Sequence, residues 1–237
     1  MNSIDGKNKI IVSLDNYIDD GEFLVDDIEQ CSELDEMIYG YKVGSIWVLE
    51  HGIQAVEELF NWVRGNHLII LDMQKWPTDI PEIVLKQLDI VSDSGSVDEI
   101  IACPMGGGRN SFETFVYKCK NDGIRPLCAL EMTHPESDSY LKPGAWRDVL
   151  HDAVSFGIDG FVLPATKIPK VEIKDYVNLH SHDLGTEYYS MGFECQQGHI
   201  EPMRQFGVSK FIVGRGIYES EEPLNVIKNI YEEINLE

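Results

Sequence analysis

In the run His67-Leu-Ile-Ile-Leu-Asp72-Met-Gln-Lys75-Trp-Pro-Thr-Asp79-Ile-Pro81, an apolar stretch ends in two carboxylates, Asp72 and Asp79, with the Lys75 ammonium between them. Opposite charges packed this closely at a strand's end can orient one another, keep a proton donor charged and stabilise negative charge as it develops, which equips a reaction centre. A solvated loop with incidental ion pairs has the same composition. Arg215, set between Gly214 and Gly216, adds a second chemistry. Glycine lets backbone approach a ligand closely, and a guanidinium can grip phosphate through two parallel hydrogen bonds; a surface salt bridge is the plain alternative. Lys42 reads as a further member of the charged array or as a lysine snorkelling at a strand end. His134 has no Ser or Cys elbow beside it, and the His180/His182 pair lacks a third ligand, so the pattern favours neither a nucleophile's base nor a metal centre.

Such residues need a frame that brings distant segments together. Short apolar, β-rich runs recur along the chain with helical patterns between them, which predicts βα units and a parallel sheet. The candidate strands run from Ile10 to Leu14, Ile38 to Val43, Leu68 to Leu71, Glu99 to Ala102, Pro126 to Leu130, Gly160 to Leu163, Glu187 to Ser190 and Lys210 to Val213. Between them, Ile53, Val56, Leu59, Phe60 and Val63 keep one helical face, as do Ile80, Ile83, Val84 and Leu88, and finally Leu224, Ile227, Ile230 and Ile234. Eight βα units predict a (β/α)8 TIM barrel forming one domain over residues 1–237, with its active site at the C-terminal strand ends. Asp15, Lys42, Asp72, Glu131 and Arg215 all fall at or near such ends. A doubly wound open sheet is the rival, but the first βα turn, Asp15 to Gly21, carries no GxGxxG phosphate fingerprint.

The chain has 237 residues and a formal charge of -22, which argues against broad binding to nucleic acid or anionic membrane, since both require a positive face. An anionic substrate therefore needs a local cationic pocket. The five cysteines show no CxxC pairing, so neither a zinc site nor a disulfide framework is signalled. No apolar run approaches the length of a membrane span, and no secretory leader pattern precedes the first strand; a cytoplasmic location is expected.

Taken together, Ile11-Val-Ser-Leu-Asp15, Tyr41-Lys42-Val-Gly44, the Asp72, Lys75 and Asp79-Ile-Pro81 set, Glu131-Met-Thr-His-Pro135 and Ile212-Val-Gly-Arg-Gly-Ile-Tyr218 resemble the orotidine 5'-phosphate decarboxylase family, in order and along essentially the whole chain. The resemblance implies conversion of orotidine 5'-phosphate to uridine 5'-phosphate and CO2 in de novo pyrimidine biosynthesis, with no metal or other cofactor. It implies catalytic roles for Lys42, Asp72, Lys75 and Asp79, the last reaching into the neighbouring subunit of a homodimer with shared sites. Asp15 matches the ribose-binding position and Thr133 a pyrimidine-contacting one. Gly214 and Arg215 match the phosphate site, with Gln197 or Gln196 as its upstream Gln. In this chemistry loss of CO2 leaves a carbanion at C6 of the pyrimidine, which a fixed ammonium stabilises and then protonates.

One departure stands out. The family motif is D-x-K-x-x-D, whereas this chain has one extra residue in each gap. Side chains alternate in a regular strand, so Gln74 would then share a face with Asp72; a bulge would instead turn Lys75 into the site, and Pro77 makes irregular backbone credible. Ile83 also stands where the family usually has a polar Thr near the subunit interface. Two other readings remain open: a divergent pyrimidine-nucleotide-binding relative without turnover, and a magnesium-dependent sugar-phosphate decarboxylase or aldolase of the same suprafamily.

Overall fold

The computed structural model describes residues 7–14, 19–63, 67–73, 79–137, 139–180, 185–193 and 198–236. Eight parallel strands close into a barrel in sequence order, β1 (Lys9–Leu14), β2 (Ile38–Gly44), β3 (Leu68–Asp72), β4 (Glu99–Ala102), β5 (Arg125–Ala129), β6 (Gly160–Pro164), β7 (Glu187–Met191) and β8 (Lys210–Val213), with β8 pairing back onto β1. These are the strands expected from the sequence, to within a residue or so at their ends. The helices between them are α1 (Asp19–Gln30), α2 (Ser45–His51), α3 (Gln54–Val63), α4 (Pro81–Ser94), α5 (Gly108–Asn121), α6 (Ala145–Phe156), α7 (Val171–His180), α8 (Ile200–Phe206), α9 (Arg215–Tyr218) and α10 (Pro223–Ile234).

Every strand is buried on both faces, which is why each reads as a continuous apolar run rather than an alternating one. Ile10, Val12 and Leu14 pack outward under the helices, while Ile11 points to the axis with Ile70, Ile101, Leu127, Val162, Tyr189 and Ile212. The helical stripes face that outer layer as predicted, except at the start of α4. Val84, Leu88 and Val91 are buried, but Ile80 is 58 % exposed. It is the N-cap, in extended backbone ahead of the first turn, and so falls outside the helical period.

Between β1 and β2 the register shifts at Ile10/Ile11. Gly40 follows that irregularity, and a Cβ placed there would lie 2.2 Å from the Leu68 carbonyl oxygen. Only glycine permits this approach of β2 to β3, and Lys42 stands two residues further on.

The N-terminal end of the barrel is closed by a polar cluster that the sequence reading did not pick out. Glu99, fully buried, accepts hydrogen bonds at Oε1 from Tyr39 Oη at 2.9 Å and from Arg125, with Tyr189 Oη also at 2.9 Å. Arg125 Nη2 reaches Glu187 Oε2 at 2.6 Å, and Lys210 pairs with Glu187 Oε1 while its Nζ lies over the Tyr39 and Tyr189 rings. Burial raises the Glu99 pKa. Glu187 is also pushed up by burial, but Lys210 and Arg125 outweigh this and hold its carboxyl below the usual range. A signal was present in the sequence: β4, β5, β7 and β8 each begin with a charged residue, alternating in sign along the chain.

Candidate active site

At the opposite, C-terminal end, β2 and β3 deliver the first functional pair. Lys42 pairs in register with Ile70 and Gly44 with Asp72, so Lys42 and Asp72 are diagonal neighbours on adjacent strands, both turned toward the axis. Lys42 Nζ lies 2.8 Å from Asp72 Oδ2, with the two side chains 4 % and 6 % exposed. Ser13 of β1, in register with Lys42, is buried beside them. An ion pair this deep loses much hydration and is weak evidence for stability, whereas a low-dielectric site strengthens its pull on a developing charge. The sequence reading had placed both residues in the site, and the fold brings them together.

Gly214 follows β8, and a Cβ there would stand 3.2 Å from the Ser13 Cβ, so the ends of β8 and β1 meet closely. Arg215 opens α9, exposed and with no ion-pair partner among the described residues. The salt-bridge alternative for Arg215 therefore has no described carboxylate to support it.

Thr133 lies in the connection between β5 and α6, half-buried, and its carbonyl oxygen accepts a hydrogen bond from Thr166 Oγ1 at 2.7 Å. Glu131, at the exit of β5, is held by Lys170, with Lys167 Nζ at 3.9 Å. Neither lysine was singled out from the sequence, because nothing in the spacing between 131 and 167–170 reveals that β5 and β6 set these residues side by side. Next to them is a cavity of about 400 Å³ lined by Cys103, Met105, Met132, His134 and Trp146 among others.

Asp79 is exposed just ahead of α4, and its Oδ1 accepts from the Ile80 amide at 2.7 Å. Asp15, Gln74, Lys75, Gln196 and Gln197 lie outside the described residues, and with them the question of register in the third-strand motif. His67, at the head of that motif, is at the far end of β3, where Nδ1 lies 2.7 Å from Glu29 of α1. His180 stacks on Tyr176, which stacks in turn on His151; its former partner in the HxH reading, His182, is outside the described residues. No disulfide joins Cys31, Cys103, Cys119 and Cys128, and no described helix is long and apolar enough to cross a membrane.

Comparison with known proteins agrees with this geometry. The model of the orotidine 5'-phosphate decarboxylase / HUMPS family matches residues 8–230. The orotidine 5'-phosphate decarboxylase of Methanococcoides burtonii is 29% identical over 229 residues, spanning 97% of this chain and 98% of its own. That of Methanosphaera stadtmanae is 27% identical, spanning 97% and 99%. Among solved structures, the orotidine 5'-monophosphate decarboxylase of Methanocaldococcus jannaschii, complexed with the inhibitor BMP, superimposes with a TM-score of 0.79 at 22% identity, over 97% of this chain and 99% of its own, a likeness of fold. With the barrel, the buried lysine–carboxylate pair and the match over nearly the whole sequence, the chain belongs to the orotidine 5'-phosphate decarboxylase / HUMPS family.

Proposed function

We propose that this chain is an orotidine 5'-phosphate decarboxylase, a carboxy-lyase of pyrimidine biosynthesis that releases CO2 from its nucleotide substrate to give uridine 5'-phosphate. The observation that carries the reading is the buried Lys42–Asp72 pair at the C-terminal mouth of a family barrel. In this reading Asp72 holds ammonium charge in place, and Lys75 stabilises the carbanion and donates its proton. Thr133 contacts the pyrimidine, Asp15 the ribose, and Gly214, Arg215 and a Gln at 196 or 197 the phosphate. No step calls on a metal or another cofactor.

The working unit is a homodimer in the cytoplasm, with Asp79 completing the partner's site. Its exposure beside the exposed Ile80 at the start of α4, with Leu85 also exposed on that helix, supports a contact surface there. Asp79→Ala and Lys42→Ala chains are each expected to be inactive, while mixed dimers regain one intact site. Subunit exchange without any recovered turnover would remove the shared site.

The deciding experiment follows loss of orotidine 5'-phosphate absorbance with purified protein, with and without EDTA. Turnover unaffected by EDTA supports the proposal. No turnover of orotidine 5'-phosphate beside magnesium-dependent turnover of a sugar phosphate would favour the sugar-phosphate enzymes of the suprafamily, and tight uridine 5'-phosphate binding without turnover would favour a binding protein.

A further inference from the structure

The segment 131–137, which carries Thr133, packs against the inner barrel core through Met132 and is tied by polar contacts on one further side. On that side the connection from β6 to α7 supplies three polar contacts. Thr166 Oγ1 donates to the Thr133 carbonyl at 2.7 Å, Lys167 Nζ donates to Ser137 Oγ at 3.2 Å, and Lys170 pairs with Glu131. On the other side lies the cavity of about 400 Å³, bounded by Met132, His134 and Ser137 of the segment and by Cys103, Met105 and Trp146 across from it. Beyond Met132 the segment faces open space there rather than packed side chains, so the polar tethers carry much of its positioning.

Lys170 is the strongest of these. Its Nζ pairs with Glu131, whose side chain is only 16 % exposed, and also lies 5.0 Å from the centroid of the Trp146 ring at the start of α6. One ammonium thus ties the exit of β5 to the first turn of α6, the two elements that the connection carrying Thr133 joins. The pair is less screened than a surface ion pair, and its removal would leave the Glu131 carboxylate with Lys167, 3.9 Å away, as its remaining cation among the described residues.

We propose that Lys170, acting through Glu131, is a positioning residue that holds Thr133 over the barrel mouth and keeps its loop out of the adjoining cavity. The inference rests on the proposed role of Thr133 at the pyrimidine. Lys170 touches no reacting atom, so its loss weakens the grip on the base more than it slows the chemistry.

The test uses Lys170→Met, which keeps the aliphatic stem against Trp146, together with Lys170→Arg and Glu131→Gln. For Lys170→Met and Glu131→Gln the KM for orotidine 5'-phosphate rises roughly tenfold, as expected for losing a charged hydrogen bond, while kcat changes little. Amide hydrogen exchange across 131–137 becomes faster in both, and Lys170→Arg restores both readouts. Adding Ala145→Leu, which fills the cavity from α6, reverses part of the rise in KM in the Lys170→Met background. A lower melting temperature with unchanged KM and unchanged exchange would overturn the proposal and leave Lys170 a purely structural residue. If the wild type does not turn over orotidine 5'-phosphate, the functional reading fails instead. Exchange across 131–137 then still decides on Lys170, with faster exchange in Lys170→Met upholding its hold on the loop and unchanged exchange overturning it.

Discussion

At the N-terminal end of the barrel Arg125 pairs with both Glu99 and Glu187, and Lys210 with Glu187, with Tyr39 and Tyr189 closing the set. The C-terminal mouth holds the Lys42–Asp72 pair and, after β8, an exposed Arg215 that no described carboxylate meets. The same residue types therefore do two different jobs. Below, paired groups tie together the starts of β4, β5, β7 and β8. Above, the proposed site would turn its cations toward an anionic substrate, in a chain whose net charge of -22 would otherwise repel one.

Substitutions at the mouth should cost activity and substitutions at the closed end should cost stability. The largest effect is expected for Lys75→Ala, which removes the proposed proton donor and should abolish decarboxylation while phosphate anchoring by Arg215 persists. Gln74→Ala should matter far less. Turnover that survives Lys75→Ala would show that the extra residue in the third-strand motif has moved the donor elsewhere. Asp72→Asn, which keeps the shape of the side chain and removes its charge, should lower kcat by roughly 10²–10³.

Next in size is Arg215→Ala, expected to weaken nucleotide binding by about 2 kcal/mol, because an exposed guanidinium sits at the lower end for a charge pair. Binding of the nucleoside, which lacks the phosphate, should hardly change. Calorimetric titration with uridine 5'-phosphate and with uridine separates the two, and equal losses would take Arg215 out of the phosphate site and remove one side of the comparison between the barrel ends.

Glu187→Gln tests the closed end. It should leave kcat intact and lower stability by about 1.5 kcal/mol through the loss of charged hydrogen bonds to Arg125 and Lys210. Because the folded protein holds the Glu187 pKa below its ordinary 4.5, the stability it contributes is present above that value and lost as pH falls through the folded pKa. Melting curves in acid should therefore show a shallower decline for the variant than for the wild type. A drop in kcat would mean that the two ends are not independent.

The fold was legible because both faces of every strand are buried, which gives eight separate apolar runs that no other spacing explains. Lys42 and Asp72 were legible because each lies at a strand end on its own sequence evidence. The tether from Lys170 to Glu131 was not, since it depends on two neighbouring strands setting loops of unrelated sequence beside each other. The closed end lay between these cases. Glu99, Arg125, Glu187 and Lys210 each open a strand, but a charge at a strand start ordinarily reads as solvated, and only the register of β4, β5, β7 and β8 turns all four inward.

The smallest effect is expected where the sequence looks most demanding, at a fully buried glutamate. Burial raises the Glu99 pKa, opposed by Arg125 and by hydrogen bonds from Tyr39 and Tyr189. The folded state thus holds the proton more tightly than the unfolded one, and the linkage runs opposite to that of Glu187: stability is lost as pH rises from the ordinary carboxylate value toward the raised one. Glu99→Gln mimics the protonated form, keeps an acceptor oxygen for the tyrosines, and leaves Arg125 its second carboxylate, Glu187. Oε2 of Glu99 has no hydrogen-bond partner among the described residues, so an amide nitrogen there breaks no described bond. Against that, the new amide hydrogens meet no described acceptor and the pull on Arg125 weakens, so the expected cost is about 1 kcal/mol, with stability declining less steeply than in the wild type as pH rises from the ordinary carboxylate value. A loss as large as that of Glu187→Gln, measured by thermal melts across the same pH series, would show that both carboxylates of the closed end act through charge, and that Glu99 is ionised within the barrel.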